Sequence, residues 1–475
     1  MLQVLLFSIL GFILVMLVGL TYYFRQMESS AREEQERTGE EGGDGIFIER
    51  LSISQSYIYA SIILSVIVLL VFIYLLVKGT LLEAHMIEWL NLVVRLMHIT
   101  FGIAWIGASF YFVFLENALN RTNNIRDELA GNLWAIHGGG FYYLEKYKLA
   151  PTTIPKELHW FKYEAYFTWL SGFCLLIIVY YFNAKGFLID TNVLNISPLQ
   201  AISLGVGSFV LAWLIYDLLC KSFLIEKRYW FAITGFLLVT VFAYFYGHVF
   251  SGRAAYIHFG AMLGSIMAAN VFFVIIPAQK AMVLAARNGV PPDPRLGRNA
   301  GIRSLHNNYF TLPVLFVMIS NHFPSTFGYK DQWLILIIIS LGSAGVKHYL
   351  NLREKGKYSV WVMPVSVVIL LSALLISAPN LNQGVCKSTI GFAEVNRIIQ
   401  ARCIACHSLH PTDPSLSAPP NGIVYDSPLK IVFLKDKIMQ RVVITKTMPQ
   451  NNKTNMTDDE RDIIRCWIQQ GAEVK

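Results

Sequence analysis

Cys403-Ile404-Ala405-Cys406-His407 has the spacing of a c-type haem attachment site. Two thiols three positions apart reach the two vinyl groups of one porphyrin, and the adjoining imidazole falls onto the iron. A bare C-x-x-C also serves redox dithiols and half zinc sites; the following His selects haem. Covalent attachment takes place on the oxidising side of a membrane. The motif therefore implies a compartment, and it puts electron transfer first among the function classes.

A second axial ligand is needed, and a Met thioether there raises the potential. Met439, Met448 and Met456 follow the motif. Met448 precedes Pro449, which pushes it out of helical conformation and into an extended loop suited to a projecting ligand. Met448 is therefore the first candidate ligand, ahead of Met456 and then Met439, and the alternative for each of the three is ordinary core packing. Pro419 and Pro420 stand where small c-type cytochromes place a carbonyl that orients the histidine. Phe392 to Arg402 is expected to form the helix leading into the motif. Thr457 with Glu460 makes a capping box that opens a closing helix towards Gly471. These parts outline a single-haem domain of roughly 90 residues, near the lower end of domain sizes.

The rest of the chain is of another kind. Of 475 residues, 55% are hydrophobic and only 15% charged. About ten runs are long enough to cross the roughly 30 Å hydrocarbon layer: Met1–Phe24, Tyr57–Val77, Leu92–Leu115, Tyr166–Phe182, Ala201–Cys220, Trp230–Phe250, Ala255–Ile276, Ser304–Ser320, Trp333–Val346 and Val360–Ile376. The expected fold is all-α: a polytopic transmembrane helical bundle followed by a small cytochrome c domain of class I type. An N-terminal anchor (1–24), read as uncleaved, leads through an acidic, Gly-rich linker (25–56) that cannot bury a core. The polytopic domain covers 57–378 and the haem domain 379–475.

Lys and Arg collect in four loops: Lys146 to Lys162, Lys221 to Arg228, Arg287 to Arg303 and Arg353 to Lys357. Two spans separate each loop from the next, so all four lie on one face, the cytoplasmic one by the positive-inside rule. The last span then delivers the haem domain to the periplasm of a bacterial inner membrane, as the haem motif requires. The formal charge of +8 is explained by these loops and calls for a lipid bilayer, with no nucleic-acid partner. Cys386 and Cys466 fall in the oxidising compartment, where a disulfide is chemically allowed. Cys174 and Cys220 read as inert membrane residues.

Ionisable groups inside spans are costly and mark candidate sites. His98, His248, His258 and His322 fall near the periplasmic ends of their spans. Such a group suits ligation of a haem b or a metal, or proton shuttling; the alternative is interfacial histidines sharing a depth. Arg303, His306, Asn307, Asn308 and Tyr309 form a second cluster, suited to a planar polar substrate. Trp134-Ala-Ile-His137-Gly-Gly-Gly140 is either an anion-binding backbone or a tight, protein-buried turn; the lack of a G-x-S-x-G elbow speaks against acyl transfer.

The strings GIAWIGASFYF (from Gly102), WAIHGGGFYYLEKY (from Trp134), LHWFKYEAYFTWLSGF (from Leu158) and HNNYFTLPVLFVMISNHFP (from His306) resemble the bacterial membrane-bound urate oxidases. MPQNNKTNMT (from Met448) extends the similarity, which runs from about Glu83 to the C-terminus. That family joins an eight-span membrane domain to a periplasmic cytochrome c. Two additional N-terminal spans and the acidic linker depart from it, either as an extension or because the true start lies further in, nearer Met27. The resemblance implies oxidation of urate to 5-hydroxyisourate, with electrons passing to one covalent haem c, then to a soluble cytochrome c or terminal oxidase. It gives no catalytic residues. His98, His248, His258, Arg303, His306 and Asn307 are therefore candidates on chemistry alone, and Cys403, Cys406, His407 and Met448 are the haem-binding set. A dehydrogenase for another purine or small heterocycle, and a non-catalytic anchored cytochrome, are the alternatives.

Overall fold

The computed structural model describes residues 81–475 apart from 123, 152, 156, 380–385, 387, 414, 415, 417 and 475, with seven helical positions between 65 and 76. Met1–Phe24 and the linker lie outside the described residues, and Tyr57–Val77 does so for the most part. The chain divides into two compact units, Met1–Glu88 and Trp89–Lys475. The second holds every candidate site.

Long apolar helices dominate it. α1 (Leu81–Ala118) is followed by α2 (Tyr163–Leu176), which continues as a wide π turn to Tyr181. Next come α3 (Pro198–Lys221), α4 (Arg228–Val249) and α5 (Gly252–Asn270), the last joined by another π turn to α6 (Ile276–Arg287). α7 (Pro294–Ser320), the short α8 (Pro324–Phe327), α9 (Gln332–Glu354) and α10 (Val362–Ile376) complete the bundle. Among the described residues, six helices are long and apolar enough to cross a membrane: those starting at His85, Tyr163, Pro198, Arg228, Gly252 and Gln332. α10 is apolar but short, and α7 begins with an Arg-rich, polar stretch, so neither meets that measure.

Why the helices assemble follows from their two faces. α5 is the central element: Ala254, Ala255, Tyr256, Phe259, Met262 and Leu263 are all essentially inaccessible, packed against Tyr246, Phe250 and Leu336. Small residues allow the close approaches, as at Gly260, where an added Cβ would lie 2.5 Å from Val317. Outward, Ile103, Val210, Leu237, Phe273 and Leu374 are exposed. Apolar side chains facing away from the core are what lipid, not water, accommodates.

One segment departs from the all-helical expectation. Leu129–His137 (β1) and Gly140–Tyr147 (β2) pair antiparallel, closing at His137 and Gly140. Gly138 and Gly139 take φ of 57° and 81°. Positive φ at both central positions is the hairpin turn that glycine adopts without strain. The triple glycine thus has a structural purpose, and the flanking Trp134, Ile136 and Phe141 are exposed rather than buried.

The C-terminal domain has its own core of Val395, Ile399, Ile431, Ile438, Ile464 and Trp467. α11 (Phe392–Arg402), α12 (Pro428–Phe433), α13 (Lys435–Ile438) and α14 (Asp458–Gln469) enclose it. The Thr457–Glu460 capping box opens α14. Cys386 and Cys466 form a disulfide with a Cα–Cα distance of 5.6 Å. This domain rests on loops at one end of the bundle. Asn451 Nδ2 donates to Ile189 O and Asn192 Nδ2 to Asn451 O, both at 2.8 Å, and Gln450 reaches Gly186 O. Gly328 lies against Thr445 and Thr447 on the same side. All these bundle loops belong to the cation-poor end.

Candidate functional site

Three groups of residues have functional geometry, beginning with the haem motif. α11 ends at Arg402, and a turn closed by His407 N–H to Cys403 O at 2.9 Å follows. Cys403 and Cys406 are unpaired and partly buried, although the domain's other two cysteines are bonded to each other. Burial, with Cys406 beside it, pushes the Cys403 thiol up to about 12, so it stays neutral against the apolar core. His407 Nδ1 donates to Ile423 O at 3.0 Å, which leaves Nε2 free as a ligand. Burial also holds this imidazole below its ordinary pKa, favouring the neutral form that ligates. The orienting carbonyl is Ile423's rather than one at Pro419 or Pro420; those prolines lead into the tight turn Pro420–Gly422 that delivers it. Met448 and Met439 pack partly buried at the margin of the core, whereas Met456 is 3% exposed within it. The Met448 loop is held by Met448 N–H to Arg441 O at 3.0 Å and Arg461 Nη1 to Met448 O at 2.7 Å. The donor set fits a covalent haem c. Among the described residues no group of three His, Cys, Asp or Glu side chains gathers to hold a metal ion.

A second set is two histidines of the bundle, each in its own setting. His258 on α5 is completely buried. Its Nδ1 donates to Ala254 O at 2.9 Å, so Nε2 accepts from the Tyr181 hydroxyl at 3.1 Å. Tyr246, Phe250 and Phe209 surround the ring. Gly205 on α3 is needed there, because a Cβ would lie 2.9 Å from Nε2. His98 on α1 donates Nδ1–H to Thr168 O at 3.0 Å and lies against Gly172. The four histidines expected at one depth are not gathered into a site: His98 and His258 have separate partners, and His248 and His322 are exposed, His248 bonding back to Tyr244 O in its own helix at 2.8 Å.

The third group lies at the opposite end. Arg303 is 4% exposed and donates to Asp217 Oδ1 at 2.5 Å and Asn270 Oδ1 at 3.2 Å. Asn270 Nδ2 donates in turn to Asn307 Oδ1 at 3.0 Å and to the Tyr216 hydroxyl at 3.3 Å. That hydroxyl meets His306 Nδ1 at 2.8 Å. Arg303, His306 and Asn307 are thus brought together, in one network with Asp217, Asn270 and Tyr216, which motif reading missed. An Asp and an Asn standing inside apolar runs were the available signal. Lys347, 1% exposed with its ammonium 3.7 Å from the Phe110 ring, was missed likewise.

A family model described as urate oxidase N-terminal matches residues 84–378, which include the second and third groups but not the haem motif. No curated protein matches the chain, and no solved structure does.

Proposed function

The chain belongs to the urate oxidase N-terminal family, and from that premise we propose that it oxidises urate to 5-hydroxyisourate. Urate monoanion and water give the product, one proton and two electrons. The proposed acceptor is one covalent haem c held by Cys403, Cys406, His407 and Met448; bound there, it supplies a one-electron acceptor of raised potential. A soluble cytochrome c or a terminal oxidase is the proposed onward partner. One observation carries the electron-transfer half of this reading. Two unpaired thiols and a histidine with a free Nε2 stand in a domain hydrogen-bonded to the bundle that carries the family match.

The chain's own residues have the following parts. His407 is held neutral and oriented by Ile423 O, and Arg461 fixes the Met448 loop. His258, whose Nε2 already accepts a hydrogen bond, and His98 are the proposed proton acceptors near the haem domain. Arg303, His306 and Asn307 form the proposed proton-conducting or orienting network at the far end, and exposed His248 ranks last. The bundle loops under the haem domain lack the clustered cations of the opposite end. This supports a bilayer orientation with the haem domain periplasmic.

The test is turnover without oxygen. Purified protein given urate and oxidised soluble cytochrome c is expected to reduce two equivalents of acceptor per urate consumed and to release 5-hydroxyisourate. Reduction by xanthine but not urate, or by neither, contradicts the proposal.

A further inference from the structure

The β1–β2 hairpin carries its charges at one end and none at the other. From Leu133 to Leu144 the chain holds no Asp, Glu, Lys or Arg. Charged side chains gather at the base instead, where Arg126 pairs with Glu145 and Lys146 with Glu116 on α1. Asn120, just past α1, exchanges backbone hydrogen bonds with Asn132 at 2.8 and 3.1 Å, and Arg121 Nη1 donates to Ala130 O at 2.9 Å. The base is thereby fixed to the end of a long apolar helix.

The register places Trp134 opposite Tyr143 and Ile136 opposite Phe141. Directly paired residues, and those two apart along a strand, share a face, so these four side chains form one apolar surface. The Trp134 and Tyr143 rings lie with centres 4.8 Å apart. Trp134 and Ile136 are each 68% exposed and Phe141 76%, so no described residue covers that face. A two-stranded hairpin is marginal in water without a covered apolar face, and uncharged edges invite aggregation there.

We propose that this face rests in the headgroup–acyl boundary of the bilayer leaflet that meets the C-terminal end of α1. The surroundings favour lipid over a protein partner. The hairpin is strung between α1 and α2, two of the helices long and apolar enough to cross a membrane. Exposed aromatic groups ring the same end of those helices. Phe112 packs against Phe161 with ring centres 4.8 Å apart, and Lys162 holds its ammonium 4.8 Å from the centre of the exposed Tyr163 ring. Trp, Tyr and Lys gathered at one end are the composition of a membrane interface, where amphipathic rings settle and lysines snorkel. The backbone limits the depth. Both strands are edges whose outward N–H and C=O groups need water or headgroups, so the hairpin lies flat and stays out of the hydrocarbon core. Tyr142, paired with Ala135 on the other face, then points to water. This inference takes the membrane placement of the helices and is independent of the reaction.

The test uses the full-length protein in nanodiscs of phosphatidylcholine and phosphatidylglycerol, with C174S/C220S as the background that takes no label. A nitroxide is attached singly at I136C, F141C and Y142C, with L237C on the outer face of α4 and K430C of the C-terminal domain as references. Power saturation compares collisions with oxygen, which concentrates in lipid, and with a water-soluble nickel chelate. The I136C and F141C labels should show an oxygen-to-nickel ratio several-fold above that of K430C and below that of L237C, and Y142C should resemble K430C. Wild-type circular dichroism in each labelled chain shows that it is folded. An I136C ratio equal to that of K430C puts the hairpin in water and overturns the inference. Shielding of I136C from both reagents, or spin–spin broadening between labels, reveals a protein partner or a second copy on this face and overturns it too. So does a ratio matching L237C, which would bury the hairpin in the hydrocarbon core.

Discussion

Arg461 donates to the carbonyl of Met448 at 2.7 Å and also reaches the carbonyl of Val442. One guanidinium therefore clamps both ends of the turn that presents the proposed axial thioether. R461Q leaves these carbonyls without their charged donor, each loss costing about 1–3 kcal/mol. The expected result is partial loss of sulfur ligation and a lower midpoint potential, an effect that M448A should show in full. Potentiometric titration of the haem band checks it, and a wild-type potential in R461Q contradicts it.

Acid should release the closing helix. Glu460 takes two hydrogen bonds from Arg402 Nε at 3.0 and 3.1 Å and caps the backbone of Thr457 at 2.8 Å. Partial burial opposes its charge, but Arg402 and the Thr457 N–H outweigh that and hold the carboxyl below its ordinary value. Its contribution is therefore fully present above the unfolded glutamate pKa of about 4.3 and is lost as pH falls through the lowered value. Thermal melts followed by Soret circular dichroism from pH 6 down to pH 3 should fall less steeply for E460Q than for wild type.

Removing the disulfide should loosen the C-terminal domain selectively. Cys386 and Cys466 are separated by 80 positions, and closing a loop of that order is worth about 4 kcal/mol in the chain-entropy account. C386A/C466A is expected to shift the Soret-monitored denaturation midpoint downward by a comparable stability, leaving the far-ultraviolet signal of the bundle in place. An unshifted midpoint contradicts this.

The Tyr181–His258 pair should act on turnover more than on affinity. H258Q is expected to lower kcat roughly 100-fold or more, and Y181F roughly tenfold through loss of one hydrogen bond, each with urate KM near wild type. G205A, whose methyl must displace the imidazole or the tyrosine hydroxyl, should resemble Y181F. Steady-state kinetics separates these outcomes from a merely structural effect, which would reduce haem content instead.

Periodic and local signals were the legible ones. The apolar runs from Leu92, Tyr166, Ala201, Trp230, Ala255 and Trp333 each fall on a long helix, those from Tyr166 and Trp230 overrunning its end by one residue, because span length is set by bilayer thickness. The helix Phe392–Arg402 and the Thr457–Glu460 box depend on neighbouring residues and were equally readable. A tight turn at Gly138–Gly139 is one of the two readings the triple glycine offers, but the strands on either side of it are hidden by their aromatic content within an otherwise helical chain. Sites assembled from several helices were not legible in full. Arg303 and Asn307 were visible, but their partners Asp217 and Asn270 come from other helices whose rotation no pattern specifies.

The most direct test is an anaerobic visible spectrum of the purified, oxidised protein taken before and after urate is added. A c-type band that becomes reduced, and fails to do so in C403A/C406A, is the result expected. A wild-type protein lacking covalent haem, or one whose haem stays oxidised in the presence of urate, contradicts the account.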